Sequence, residues 1–181
     1  MSEVPRRIVT GHDANGRSII TDDGPLPAVF GPPGSSRFLE IWATGATPAP
    51  IAATEPDPTD APLIVSPPPN GTVFRINVMA PGSVAPLHRT KSVDFAMVLE
   101  GEITLVLDDS ETVMRPGDTI VQRGTSHGWE NRGEVTCRML FVLVDGEFTD
   151  ELQEALNNSP VATLPRAPFP LDREPPVSAA G

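Results

Sequence analysis

From residue 72 to residue 145 the chain repeats one unit, a short apolar or alternating run followed by a turn, at a spacing of about ten residues. This rhythm constrains the fold more than any other feature. Runs so short cannot bury themselves as helices and must pair as the strands of a sandwich or barrel. The runs are residues 73–80, 93–99, 103–107, 112–114, 119–122, 127–131 and 135–144. Between them lie Pro81-Gly82, Glu100-Gly101, Asp108 to Ser110, Pro116-Gly117 and Arg132-Gly133, residue types that tolerate the backbone angles of tight turns. With 22 prolines and 15 glycines in 181 residues, a helical bundle is excluded, and the length fits one domain.

The flanks read differently. Residues 7–22 form a hairpin, with residues 8–9 leading in, 18–21 leading out and Asn15-Gly16 as the turn; His12 lies beside that turn and reads as solvated. Residues 38–43 make a strand, and residues 44–69, with eight prolines, make a long connecting arm. Residues 148–158 have helical spacing, with Leu152, Ala155 and Leu156 on one face and Thr149 or Asp150 as cap. The last stretch, 159–181, holds six prolines and reads as a tail that wraps the surface or frays. The organisation is thus a hairpin and arm (1–70), a barrel (71–147), and a helix and tail (148–181).

A net charge of −11 and a pI near 4.6 disfavour nucleic acid and anionic membrane as partners, since both require clustered Lys and Arg. No apolar run approaches the roughly 18 residues of a membrane span, and residues 1–10 lack the apolar core of a secretory signal, so the chain reads as cytoplasmic. The single cysteine, Cys137, rules out an intrachain disulfide; beside Met139 and Phe141 it reads as a buried thiol in a strand.

Two of the three histidines, His88 and His127, fall at strand ends in the repeating region, each after a glycine-bearing turn. Asp94 follows His88 by six residues, and Gly101 closes the next hairpin. In this region the chain resembles the cupin superfamily. The first cupin motif runs from a glycine through a His-x-His pair and a glutamate to a second glycine, and Gly82, His88 and Gly101 match it. The second motif is matched by Gly117, Asp118, Gly124, His127 and Asn131. The resemblance covers Gly82 to Asn131 and implies an all-β jelly-roll barrel. It also implies a homodimer that covers exposed barrel edges.

The departures bear on function. Thr90 stands where the family has its second histidine, Asp94 replaces the glutamate, and Arg123 lies near the usual proline of a second motif that is one residue short. Two imidazoles and a carboxylate remain. His88, Asp94 and His127 would suffice for a facial metal site suited to Fe(II), or for Zn(II) or Mn(II) with waters. The same three residues would equally form a metal-free acid–base cluster in a desolvated barrel. Aspartate is one methylene shorter than glutamate, so reaching the same ion requires a backbone shift or a bridging water.

Residues two apart on a strand share a face. With Asp94 inward, Ala96 and Val98 also point inward; with His127 inward, Trp129 joins it, and on the last strand either Cys137, Met139 and Phe141 or Arg138, Leu140 and Val142 face the same interior, the uncharged set fitting it better. On residues 73–80, Arg75 and Asn77 share one face and would anchor a carboxylate or carbonyl if that face lines the barrel. The pocket so drawn consists of Arg75, Asn77, Thr90, Val98, Trp129, Met139 and Phe141 around the three catalytic candidates. Arg89 and Lys91 read as solvated residues near the mouth.

Two functions fit these residues. The first is a lyase or isomerase, of dehydratase or decarboxylase type, acting next to a carbonyl on a small molecule, with Asp94 as base and the histidines holding a metal or donating to an oxyanion. A dioxygenase is its variant if iron is bound. The second is a barrel that binds a small hydrophobic acid without turning it over.

Overall fold

The computed structural model describes residues 4–31 and 35–174. Its strands are β1 (Arg6–His12), β2 (Ser18–Pro25), β3 (Ala28–Phe30), β4 (Arg37–Thr44), β5 (Thr72–Met79), β6 (Val84–His88), β7 (Ser92–Glu100), β8 (Ile103–Val106), β9 (Glu111–Met114), β10 (Thr119–Arg123), β11 (His127–Glu130) and β12 (Cys137–Asp145). One helix, α1 (Asp150–Leu156), follows them. The hairpin β1–β2 pairs only with itself; the rest form a six-stranded sheet in the order β10-β7-β12-β5-β4-β3 and a four-stranded sheet in the order β6-β11-β8-β9.

The main core lies between these two sheets. Val73, Ala96, Val98, Met139, Phe141 and Leu143 come from one; Ile103, Leu105, Met114 and Trp129 come from the other. All are inward members of alternating strands, and Phe95, Met97 and Leu99 point outward between Asp94, Ala96 and Val98. The arrangement is the barrel expected from the turn spacing and the jelly roll that the cupin resemblance implied.

The six-stranded sheet is longer than its partner, so β3 and β4 have no opposing strand. The proline-rich arm and the tail fill that place. Leu63 of the arm and Leu171 of the tail pack on Ala28, Phe30 and Phe38. Phe169 lies 5.9 Å from Phe38, ring to ring. The tail, which the sequence left as wrapping or frayed, wraps through residue 174, bonded at Arg89, Leu63, Gly31 and Val29. On the opposite face of the same sheet a second cluster, Leu26, Val29, Leu39, Ile76 and Val78, is roofed by the segment between the hairpin and β3.

Two strands escaped the sequence reading. β3 has three residues, and β6 carries Pro86, which is tolerated because β6 is an edge strand and its missing N–H faces no ladder. Helix α1 is shorter than its periodic pattern and buries no residue; Leu152 is 41% exposed. The cap Thr149, which accepts from the Leu152 N–H, and two acidic residues in the first turn stabilise it instead.

The β7–β8 turn depends on a glycine. Gly101 has φ +71°, and an added Cβ would lie 2.6 Å from the Thr136 carbonyl oxygen and 2.9 Å from Cys137 Cα. Gly101→Ala is therefore expected to destabilise the fold by about 2–4 kcal/mol, combining left-handed strain with an overpacked contact to backbone. Gly82→Ala, at a similar φ but with open space around it, should lose only the conformational part, about 1 kcal/mol. Urea denaturation of the two variants separates these contributions.

Candidate active site inside the barrel

His88 ends β6 and His127 opens β11, and the register sets them directly opposite each other. Their ring centroids are 4.4 Å apart, tilted by 58°. His127 is buried and His88 is partly open. Each ring is fixed by its own turn: His88 Nδ1 lies 2.8 Å from the Pro86 carbonyl oxygen and His127 Nδ1 lies 3.0 Å from that of Thr125. A carbonyl can only accept, so each Nδ1 carries the hydrogen. In the neutral ring Nε2 is then a bare lone pair. Burial, and secondarily the charge of His88, push the His127 pKa down to about 4.

Asp94 projects inward from β7 and is 4% exposed. Burial raises its pKa to about 6, against the hydroxyls of Ser92 and Thr90 and the charge of Arg75, which hold it down. The two hydroxyls are 2.8 Å apart. Its Oδ1 is buried without a hydrogen-bond partner. Arg75 is 1% exposed on β5. Its Nε forms a 3.0 Å ion pair with Glu40 of β4, without the alignment of a hydrogen bond. Its Nη2 donates to the Ile64 carbonyl of the arm at 2.7 Å, and its guanidinium stands 5.6 Å from the centre of the Phe38 ring.

His88, Thr90, Asp94 and His127 line one cavity together with Arg75, Asn77, Trp129 and Phe141. The mixed face of β5 therefore lines the barrel. Trp129 serves both core and wall, edge-on to Phe141 at 5.9 Å. Val98 and Met139, expected in the pocket, do not line it; each is 1% exposed within the core between the sheets. Alternation fixes the face a side chain takes but not its height along the barrel axis. Arg89, expected to be solvated, is 2% exposed beneath the tail, where it donates to the Val161 carbonyl. Asn131 works as a turn clamp: its amide donates to the Met79 and Val135 carbonyls and accepts from the Gly133 N–H. Cys137 is fully buried, and burial pushes its thiol up to about 11, which makes it inert.

Among the described residues, no three His, Cys, Asp or Glu side chains come close enough together to hold an ion. The shorter Asp94 is turned toward Thr90 and Ser92, which leaves two imidazoles without a third protein ligand. The facial set that the sequence suggested does not fit this geometry, because catalytic zinc and non-haem iron sites take three protein ligands.

Three further residues matter here. Glu40 neutralises Arg75; its pKa is raised by burial and restrained by that arginine. Arg37 lines the cavity and pairs with Glu174 of the tail at 2.6 Å. Gln122 lies directly across from Asp94 on β10, 3% exposed, with both amide atoms unpartnered. Alternation with Ile120 could have placed Gln122 inward. Nothing local marks the partners of the two arginines.

The two shifted groups act oppositely on stability. Asp94 binds its proton more tightly folded than unfolded, so its contribution is lost as pH rises from about 4 to about 6. His127 binds its proton less tightly folded, so its contribution grows from about pH 4 to 6.5. Each amounts to about 3 kcal/mol at about 1.4 kcal/mol per pKa unit, so they nearly cancel. Asp94→Asn should then make stability rise with pH across this window, and His127→Gln should make it fall. Urea unfolding at pH 4, 5 and 6.5 reads both slopes.

The cupin domain family model matches residues 75–143. Phomopsin biosynthesis cluster protein C' of Diaporthe leptostromiformis is 40% identical over 152 residues, 79% of each chain. The cupin-domain-containing oxidoreductase fogC of Aspergillus ruber is 39% identical, covering 80% of this chain and 74% of its own. Among solved structures, the Schizosaccharomyces pombe Cnp3 cupin domain is similar at 13% identity and a TM-score of 0.47, covering 83% of this chain and 91% of that one. With a family model over the barrel and relatives of this identity along three quarters of their own length, this chain belongs to the cupin superfamily, as a small protein with a single barrel.

Proposed function

We propose that this cupin is a small-molecule enzyme of the lyase or isomerase type that moves a proton at a carbon next to a carbonyl. The observation that carries the reading is Asp94, a buried carboxyl whose pKa is about 6, in the same cavity as two imidazoles. Magnitude decides the base. Asp94 at about 6 is more basic than His127 at about 4, the reverse of the usual order, so a substrate proton goes to the carboxylate. In an isomerisation, Asp94 takes the α-proton, the C–H pair becomes an enolate, and the proton returns at another carbon. In a dehydration, the same proton leaves with the β-hydroxyl as water. Both restore the carboxylate.

The developing enolate oxygen requires donors. That role was expected of the histidines, but their Nε2 atoms present lone pairs; the amide of Asn77 and the guanidinium of Arg75 are the donors on the wall. Deuterium incorporation tests the reading. The protein, incubated in D2O with a panel of β-hydroxy ketones and 1,3-diketones, should exchange α-protons or release water faster than the Asp94→Asn variant. Equal rates for the two proteins across the panel would refute it.

A second reading, oxidoreduction, is favoured by the word oxidoreductase in the name of the relative fogC. Elemental analysis near one equivalent of iron, together with substrate-dependent oxygen uptake, would replace proton transfer with this reading.

A further inference from the structure

An antiparallel sheet with one face in water places its polar residues on that face. The outer face of the six-stranded sheet does not follow this pattern. Pairing across the strands lines up one apolar row of Val29, Leu39, Ile76, Leu140 and Met97. A second row beside it holds Phe74, Val142, Phe95 and Val121. At the β3 end the first row is covered, since Val29, Leu39 and Ile76 share a buried cluster with Leu26, and Val4 packs against it. At the β10 end both rows lie open among the described residues: Phe95 is 48% exposed, Val121 59%, and Met97 and Leu99 39% each. One continuous apolar face is thus half roofed by its own chain and half bare.

The bare part covers β10, β7 and β12, about 4.8 Å apart, and runs along the outward residues of β7 from Val93 to Leu99, spaced by about 6.8 Å, a footprint of about 15 by 25 Å. A contiguous apolar patch of this size with a polar rim marks a site of association. Lipid is the poorer occupant. The rim carries both signs, with Arg138 4.0 Å from Glu100 and Arg123 at the end of β10, and a net charge of −11 repels an anionic bilayer.

We propose that a second copy of this chain covers this face, the bare halves of two six-stranded sheets packing about a two-fold axis with Phe95 near the centre. An apolar sheet face is its own complement: sheets stack about 10 Å apart with their strands within about 30° of each other, and a two-fold contact buries the same stripe on both copies. With their rims, two such faces bury on the order of 1,000–1,200 Å² in total, which meets what a specific interface requires. The sheet edges offer less. At the β3 edge the tail is already bonded, through Val29, Phe30 and Gly31, and β10 at the other edge has five residues. The dimer that the cupin resemblance implied thus moves from the barrel edges to a face, and it is independent of the reaction proposed for the cavity.

Sedimentation equilibrium of the intact protein from about 1 to about 100 μM tests this. The wild type should sediment as a dimer with a dissociation constant at or below about 10 μM. Phe95→Glu and Val121→Glu each bring a carboxylate into the contact and should raise that constant at least tenfold. Their far-UV circular dichroism should match the wild type, because both positions are open in the single copy. Where a glutamate disturbs the fold, Phe95→Thr and Val121→Thr, which keep strand propensity, should weaken the dimer in the same direction. Ile51→Glu, at an 89% exposed position of the arm, should leave the dimer unchanged. A wild type that stays monomeric at about 100 μM overturns the proposal. So does a dimer whose constant none of the substitutions at Phe95 and Val121 changes, because its contact then lies elsewhere. Co-sedimentation of a monomeric wild type with phosphatidylcholine vesicles, lost in Phe95→Glu, would replace the second copy with a lipid surface.

Discussion

Replacing Asp94 with Asn is expected to make the protein less active and, at pH 7, more stable. Proton transfer by a positioned carboxyl contributes about 10²–10⁴ in rate, and Asn can neither take nor return a proton, so turnover should fall by that factor. Asn keeps the shape and can still accept from Thr90 and Ser92. It also removes a buried charge whose folded-state pKa of about 6 means that the ionised form opposes folding at neutral pH. The melting temperature at pH 7 should therefore rise, and the gain should disappear at pH 4, where Asp94 is already protonated when folded. A structural carboxylate would give the opposite sign, so thermal scans at the two pH values, read beside the deuterium-exchange rate, distinguish a residue kept for chemistry from one kept for stability. If instead the variant keeps wild-type turnover and melts lower at pH 7, the assignment of Asp94 as base fails.

The second large effect is expected at Arg75. Arg75→Met retains much of the stem volume but removes the only cation paired with Glu40 among the described residues, and it withdraws the charge that holds Asp94 down. Breaking a buried pair from one side costs about 3–5 kcal/mol because the remaining charge is left uncompensated. The Arg75 hydrogen bond to the Ile64 carbonyl is lost as well, which loosens the arm over the cavity. The loss should shrink as pH falls, because Glu40, already raised by burial, would titrate higher still without its arginine and escape the penalty by protonating. Glu40→Gln in the Arg75→Met background should recover part of the stability at neutral pH. Denaturant unfolding at pH 5 and pH 7.5 measures each step; a loss below 1 kcal/mol at pH 7.5 would mean that the pair is solvated.

Both predictions concern residues that the sequence places unequally well. Asp94 was legible because its strand alternates cleanly: Phe95, Met97 and Leu99 outward, Asp94, Ala96 and Val98 inward. The two histidines were legible because they belong to turn-and-strand motifs within the barrel. Arg75 was legible only as one of two possible faces of β5. What settled it was Glu40, 35 positions earlier in the chain and adjacent to it across the sheet. The hairpin β1–β2 was legible from Asn15-Gly16, although a register shift between Val9 and Thr10 was not.

The sequence by itself determined the strands other than β3 and β6, the turns between them, and which residues of each strand share a face, because period-two alternation and glycine-bearing turns are local and survive without knowledge of the partner strand. Tertiary structure alone decided the rest. It kept Val98 and Met139 out of the cavity lining, gave both wall arginines their carboxylates, seated Arg89 under the tail, and excluded water around Asp94 and His127. Each of these depends on a contact between residues far apart in the chain, on the height of a side chain along the barrel, or on how much water is excluded around a charge. None of these quantities leaves a periodic trace in the order of amino acids.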